Sequence, residues 1–233
     1  SFWLERKVTG SSSPHVSHIV NVFLFSCILC KIYDFIIASK FYNDQKKLLF
    51  VAILTCLFFA IHPNHVGVIA NIKARDNLLS MLFGLFASIQ LIYYFDTRKL
   101  IRILLFLCFI MLAFLSKLDA YSFIIAPLLV IYFFRETDRK KILVNAAITL
   151  ILFIVAFSIF QLFKSLPNKD EYIFSMGFDE KPLVANNTFI NRISVALTSL
   201  FYYIKFLFVP FGYYFFFGYN QIQLTGFFSI INI

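Results

Sequence analysis

The sequence predicts an all-α integral membrane protein, a multi-span helical bundle of about seven spans. Three observations predict it. Of 233 residues, 61% are hydrophobic and 14% charged, with 33 Phe and a mean hydropathy of +0.82. A soluble domain carries about a quarter charged residues, so there is too little polar surface here to wrap a water-soluble globule. The apolar residues also fall in runs of near-span length separated by short charged loops, which excludes disorder and a disulfide-rich scaffold.

The apolar segments are 18–38, 48–62, 78–95, 100–115, 120–134, 142–163 and 195–217. Several are shorter than the ~20 residues that cross a bilayer untilted, which asks for snorkelling flanks or local thinning. Residues 1–17 hold Phe2, Trp3, Arg6 and Lys7 before Ser11–Ser13 and Pro14, an interfacial stretch and turn. The chain opens with Ser1 and is expected to carry no signal peptide in these residues and to be part of a longer protein. Its organisation divides into a membrane core, 1–163, and an outer loop with a last span, 164–233.

Loop charge orients the bundle. Lys40, Lys46 and Lys47 follow the first segment, Arg98, Lys99 and Arg102 the third, and Arg135, Arg139, Lys140 and Lys141 the fifth. Short loops rich in Lys and Arg mark the cytoplasmic side, so Ser1 is expected outside. The net charge of +9 then reports orientation and contact with membrane lipids, and no nucleic-acid module is visible. Cys27, Cys30, Cys56 and Cys108 lie inside apolar runs and read as buried thiols, including the Cys27-x-x-Cys30 pair.

With this topology the unusual polar residues collect on the outer face: His62-Pro63-Asn64-His65, Asn71 to Asp76, Ser116 to Asp119, and the loop 164–194. A channel would spread such groups through the bilayer depth. A rim of them suits work at the membrane–water boundary on a lipid-borne or extracytoplasmic substrate.

Each group has a chemical and a structural reading. His62 and His65 can donate to a phosphate or sugar hydroxyl, or belong to a proline-terminated helix end. A metal held by the two histidines and Asp76 would lack local ligands, and none is expected. Arg75 can clamp a phosphate in its planar fork, or anchor to headgroups or an ion pair. Asp76 suits a helix N-cap, and Lys73 an interfacial anchor. Lys117 can stabilise charge on a leaving phosphate or snorkel, and Asp119 can cap the next span or orient an acceptor. Lys31 and Asp34 share a helical face and neutralise each other. Asp179 and Glu180 read as a solvated pair, Asn186-Asn187-Thr188 as a glycosylation sequence, and Pro210 as the end or kink of the last span. Arg192, with Tyr202, Tyr203, Tyr213, Tyr214 and Tyr219, lines an acceptor groove or an aromatic belt.

Several motifs together carry a resemblance. The stretch HPNHVGVIANIKARDNLL from His62, LAFLSK ending at Lys117, PHVSHIVN from Pro14 to Asn21, the run from Lys181 to Pro210, and GYNQI from Gly218 resemble the polytopic O-mannosyltransferases with C-terminal tetratricopeptide repeats. That family is placed among the GT-C membrane glycosyltransferases. This chain has Ala74 where the family has Gly, and Leu118 where it has Glu, with Asp119 one position later.

The resemblance implies transfer of a sugar, mannose by expectation, from a polyprenyl- or dolichyl-phosphate donor to a Ser/Thr hydroxyl of a protein acceptor, with no cofactor. It places the activity at a bacterial inner membrane or the endoplasmic reticulum, facing periplasm or lumen. It assigns substrate binding to His62, His65, Arg75, Asp76, Lys117, Asp119 and Arg192. The general base belongs to the first outer loop of that family. The only acidic residue ahead of Pro14 is Glu5, so the base is expected outside these residues, as are the repeats. The rival readings are a transporter or flippase of a polyprenyl-linked saccharide and a non-catalytic membrane scaffold.

Overall fold

The computed structural model describes residues 14–134 and 189–209, together with Glu5, Lys7 and isolated positions between 144 and 158. Among the described residues every regular element is helical. The chain divides into two compact units, Ser1–Pro167 and Asn168–Ile233.

In the first unit α1 runs Pro14–Ser39 and α2 Gln45–Ile61. The chain then bends through a 3-10 turn, Pro63–His65, into the short α3, Val66–Ala70, and a second 3-10 turn, Ile72–Ala74. Three helices follow: α4, Arg75–Thr97; α5, Leu100–Ser116; and, after the 3-10 turn Leu118–Tyr121, α6, Ser122–Phe134. The second unit contributes α7, Phe189–Phe208.

Local chemistry sets these ends. Pro14 occupies the first position of α1, where its missing N–H costs nothing. The Asp44 carboxylate caps α2 by accepting from the Lys46 N–H at 2.9 Å. Helix α4 ends at Arg98, which adopts φ 54° while its N–H donates to the Tyr94 carbonyl. A residue in this left-handed region closes many helices, although glycine does so more cheaply.

Helix α4 is the centre of the unit and packs on α1, α5 and α6. One face gives Ala87 and Leu91 to a core with Phe106, Ile110, Ala113 and Phe114 of α5 and Ile124 of α6. The other gives Leu78, Leu82 and Leu85 to a core with Ile28, Ile32 and Ile36 of α1 and Leu48 and Ala52 of α2. Ser80, Gly84 and Ser88 recur every fourth residue and are all buried. Small residues at this spacing let helix backbones approach closely, and a Cβ on Gly84 would sit 2.2 Å from the Phe123 ring. The Ser88 hydroxyl donates to the Phe123 carbonyl at 2.8 Å. That carbonyl would ordinarily receive the amide of residue 127, which is the buried Pro127.

The exterior of this unit is apolar. Ile19, Phe23, Phe50, Phe58, Ile61 and Phe133 are each more than 60% exposed, a surface that hydrocarbon accommodates and water does not. Two helices are long and apolar enough to cross a membrane, Pro14–Ser39 and Ile72–Thr97, with mean hydropathy 1.9 and 1.8. A third candidate is the pair Gln45–Ile61 and Pro63–Ala70, bent by 56°. Leu100–Ser116 and Ser122–Phe134 are apolar but have 17 and 13 residues. At ~1.5 Å per residue they reach about 25 and 20 Å, short of a ~30 Å hydrocarbon core. The described residues thus supply two to three candidate spans, where the sequence reading counts, over the same residues, five segments in the first unit and the start of another in the second; 100–115 and 120–134 are too short as read from sequence and remain so as helices.

Helix α7 starts at Phe189, six residues before the expected segment, and its covered stripe is Ser194, Thr198, Tyr202 and Phe206, at four-residue spacing. The expected span 142–163, apart from isolated helical positions, lies outside the described residues. So do Asp179, Glu180, the Asn186-Asn187-Thr188 sequence, Pro210, Tyr213, Tyr214, Tyr219 and the segment 218–233.

Candidate functional site

The alternation of helices brings the starts of α1, α4 and α6 and the ends of α2 and α5 to one end of the first unit. Cross-helix hydrogen bonds define this end. At the other end Lys40, just after α1, lies 3.7 Å from Asp96 of α4, and Phe41 meets Phe134 edge-on at 4.5 Å.

The polar end is built around Arg75, which is 1% exposed. Its Nε donates to the Asn21 Oδ1 at 3.0 Å, its Nη1 to the Glu5 carboxylate at 2.6 Å, and its Nη2 to the Ser17 carbonyl at 3.1 Å. Glu5 also accepts a hydrogen bond from the Ser17 hydroxyl. Asn21, fully buried, donates through Nδ2 to the carbonyls of Ile69 and Asn71. One guanidinium and one amide therefore join the segment before α1, the first turns of α1, the bend after α2 and the first residue of α4. The Ser17 hydroxyl first, and then the Arg75 guanidinium, holds the Glu5 carboxyl below its ordinary pKa.

Asp76 and Asn77 follow Arg75. Because α4 starts at Arg75, Asp76 sits in its first turn; the cap position is Ala74. This corrects the N-cap expected of Asp76. Its carboxylate is exposed, accepts from the Asn77 N–H at 2.9 Å, and still complements the helix dipole. Asn77 reaches across to α5, where the half-buried Lys117 donates its ammonium to the Asn77 Oδ1. Lys117 is the C-terminal cap residue of α5, with its N–H on the Ala113 carbonyl. Asp119 belongs to the 3-10 turn beyond it, and its side chain lies outside the described residues.

His62 and His65 flank the bend. The His62 Nδ1 accepts from the Asn64 N–H at 3.3 Å, which shapes the turn. The His65 ring stacks on Phe59 at 4.0 Å and tilts against Phe25 at 5.8 Å. Phe25 lies one helical turn beyond Asn21 on α1. The Asn64 Oδ1 is buried without a hydrogen-bond partner. Lys73 is exposed on the second 3-10 turn.

The end thus gathers Arg75, Asp76 and Lys117, with the two histidines at its bend. Arg192 is an exposed residue of α7 in the second unit and is described there by itself. Among the described residues no three His, Cys, Asp or Glu side chains converge as a metal site would need. Cys27, Cys30, Cys56 and Cys108 are free thiols, with Cys30 and Cys108 exposed on their helices. Lys31 and Asp34 pair at 2.5 Å as their spacing suggests.

Three partners of Arg75 escaped the sequence reading: Glu5, Ser17 and Asn21. Asn21 closes the PHVSHIVN motif and Glu5 is the sole acid before Pro14, so both carried a signal; their convergence on Arg75 did not. No family model matches the chain, and no match was found among curated proteins or solved structures.

Proposed function

We propose that this chain is part of a membrane glycosyltransferase of the GT-C kind, a multi-span bundle of about seven helices. It moves a sugar, mannose in the first instance, from a polyprenyl- or dolichyl-phosphate to a protein Ser/Thr hydroxyl on the extracytoplasmic side. The observation that supports this reading is the gathering of Arg75, Asp76 and Lys117 at one end of the first unit. There a carrier phosphate at the membrane boundary would meet the Lys117 ammonium beside the frame that Arg75 fixes.

The geometry divides the work between the two cations. Arg75 is buried and already binds three partners, so its role is to fix the frame. Lys117, half-buried at a helix end, supplies a compact point charge for the phosphate as it leaves. In this reading His62 and His65 serve the sugar hydroxyls and Asp76 and Asp119 the acceptor. The attacking hydroxyl loses its proton to a carboxylate and bonds to the anomeric carbon, whose bond to the phosphate oxygen breaks, so that the carrier leaves as its lipid monophosphate.

A flippase reading draws support from the bent pair at Ile61–Pro63, since transporters place broken helices at their substrate sites. Those breaks lie near the bilayer midplane. Here 17 residues, about 25 Å of helix, precede the bend, well beyond the ~15 Å that would reach a midplane.

The test is transfer of radiolabelled sugar from a polyprenyl-phosphate donor by the full-length protein. Label in protein supports the reading. Label that crosses the bilayer with its glycosyl bond intact replaces it with the flippase. Unchanged turnover in an Arg75→Ala, Lys117→Ala double variant removes the site assignment.

A further inference from the structure

At the end of the first unit opposite to the Arg75 network, a cleft of about 330 Å³ is lined by Tyr42, Lys46, Lys47, Phe50 and Val51. Both lysines are exposed, and among the described residues neither is part of an ion pair. The carboxylates described at this end are engaged elsewhere. Asp44 caps α2 through the Lys46 N–H, and Asp96 faces Lys40. The cleft is therefore cationic at its mouth and apolar below.

The apolar part continues out of the cleft. Phe50, Leu54, Leu57 and Ile61 are exposed at 66%, 38%, 56% and 73%. Their spacing of four, three and four places them along one side of α2. From Phe50 to Ile61 the stripe rises about 16 Å, close to half of a ~30 Å hydrocarbon core. A head site for an anion is thus joined to a track the length of one leaflet.

We infer that this surface binds an anionic phospholipid. Its phosphate sits between Lys46 and Lys47, the Tyr42 ring lies at headgroup level, and one acyl chain follows Phe50, Leu54 and Leu57. The two ammonium groups favour a net negative headgroup over a zwitterionic one, whose choline they repel. The apolar wall favours a lipid over a soluble phosphate. This site is independent of the sugar-transfer reading and of the residues assigned to it.

The test is native mass spectrometry of the full-length protein, titrated in detergent with phosphatidylglycerol or with phosphatidylcholine. The expected result is retention of phosphatidylglycerol about tenfold or more over phosphatidylcholine, a preference lost in a Lys46→Gln, Lys47→Gln variant. Each lysine near a charged surface contributes about a fivefold effect, so ~25-fold is expected for the pair. Phe50→Ser weakens retention of the lipid, and Lys99→Gln, an exposed change at the same end, leaves it intact. Equal retention of the two lipids overturns the proposal. So does loss in Lys99→Gln as large as in the double variant, which would mean diffuse charge. Displacement of the lipid by inorganic phosphate at equal concentration, or an unaffected Phe50→Ser, overturns it in favour of a soluble anion.

Discussion

Ser88 of α4 donates its hydroxyl to the carbonyl of Phe123 on α6 at 2.8 Å, in place of the amide that Pro127 cannot supply. A proline inside an apolar helix is tolerated when a neighbouring hydroxyl satisfies the freed carbonyl. Ser88→Ala is expected to cost about 1 kcal/mol in the wild-type background. In a Pro127→Ala background residue 127 recovers its N–H, and the same change costs almost nothing. Unfolding in detergent by a denaturant series, read as a double-mutant cycle, checks the coupling. Equal costs in both backgrounds would refute it.

One turn earlier, Gly84 faces the Phe123 ring. In an isolated helix Gly→Ala stabilises by about 1 kcal/mol. Here the added methyl would lie 2.2 to 2.7 Å from ring atoms, and overpacking of this kind costs about 1–3 kcal/mol. Gly84→Ala is expected to lower the thermal midpoint, and adding Phe123→Ala to recover part of the loss. A midpoint raised by Gly84→Ala alone would show that the contact is slack.

Replacing Arg75 by Met keeps much of the stem and removes the guanidinium. Asn21 and Ser17 then lose a buried donor, and each stranded acceptor costs about 1–3 kcal/mol, so a loss of about 3 kcal/mol is expected. Arg75→Lys is expected to recover less than half, because one ammonium cannot reproduce the three-way fork that meets Asn21, Glu5 and Ser17. Thermal unfolding of the two variants side by side measures the difference.

The same network predicts a pH dependence. The folded-state pKa of Glu5 lies below its ordinary value near 4.5. Its contribution is therefore complete above pH ~4.5 and is lost as pH falls through the lower folded-state value. Acid unfolding of the wild type should carry this limb, and Glu5→Gln should lack it. Parallel profiles for the two proteins down to pH 3 would contradict the assignment.

If the proposed sugar transfer holds, Lys117→Met is expected to reduce it at least tenfold while unfolding shifts little, because the half-buried ammonium sits at a helix end. Asn77→Leu should reduce transfer less and raise KM for the donor, since Asn77 positions the ammonium without meeting the phosphate. Initial rates across donor concentrations separate the two effects.

Much of the fold was legible because apolar runs and charged loops are local. The starts and ends of α1, α2, α4, α5 and α6 fall within about four residues of the segments read from sequence. The bend at His62–Asn64 was less legible, since it depends on how the chain packs. Of the site, Arg75 and Lys117 stood out as cations at segment ends, and alternation placed them together. Which group each would meet was hidden. Asn21 sits 54 positions from Arg75 and Asn77 40 from Lys117, and no local pattern encodes such pairings.

Glu5 and Arg75 are separated by 70 positions, which has a consequence for biogenesis. At about 5–20 residues per second the ribosome needs roughly 4–14 s to travel that distance. Throughout this interval the nascent α1 lacks the guanidinium that Asn21, Ser17 and Glu5 meet in the folded chain. The buried junction at Arg75 can therefore close only after α4 is delivered, so completion of this end of the unit is paced by elongation.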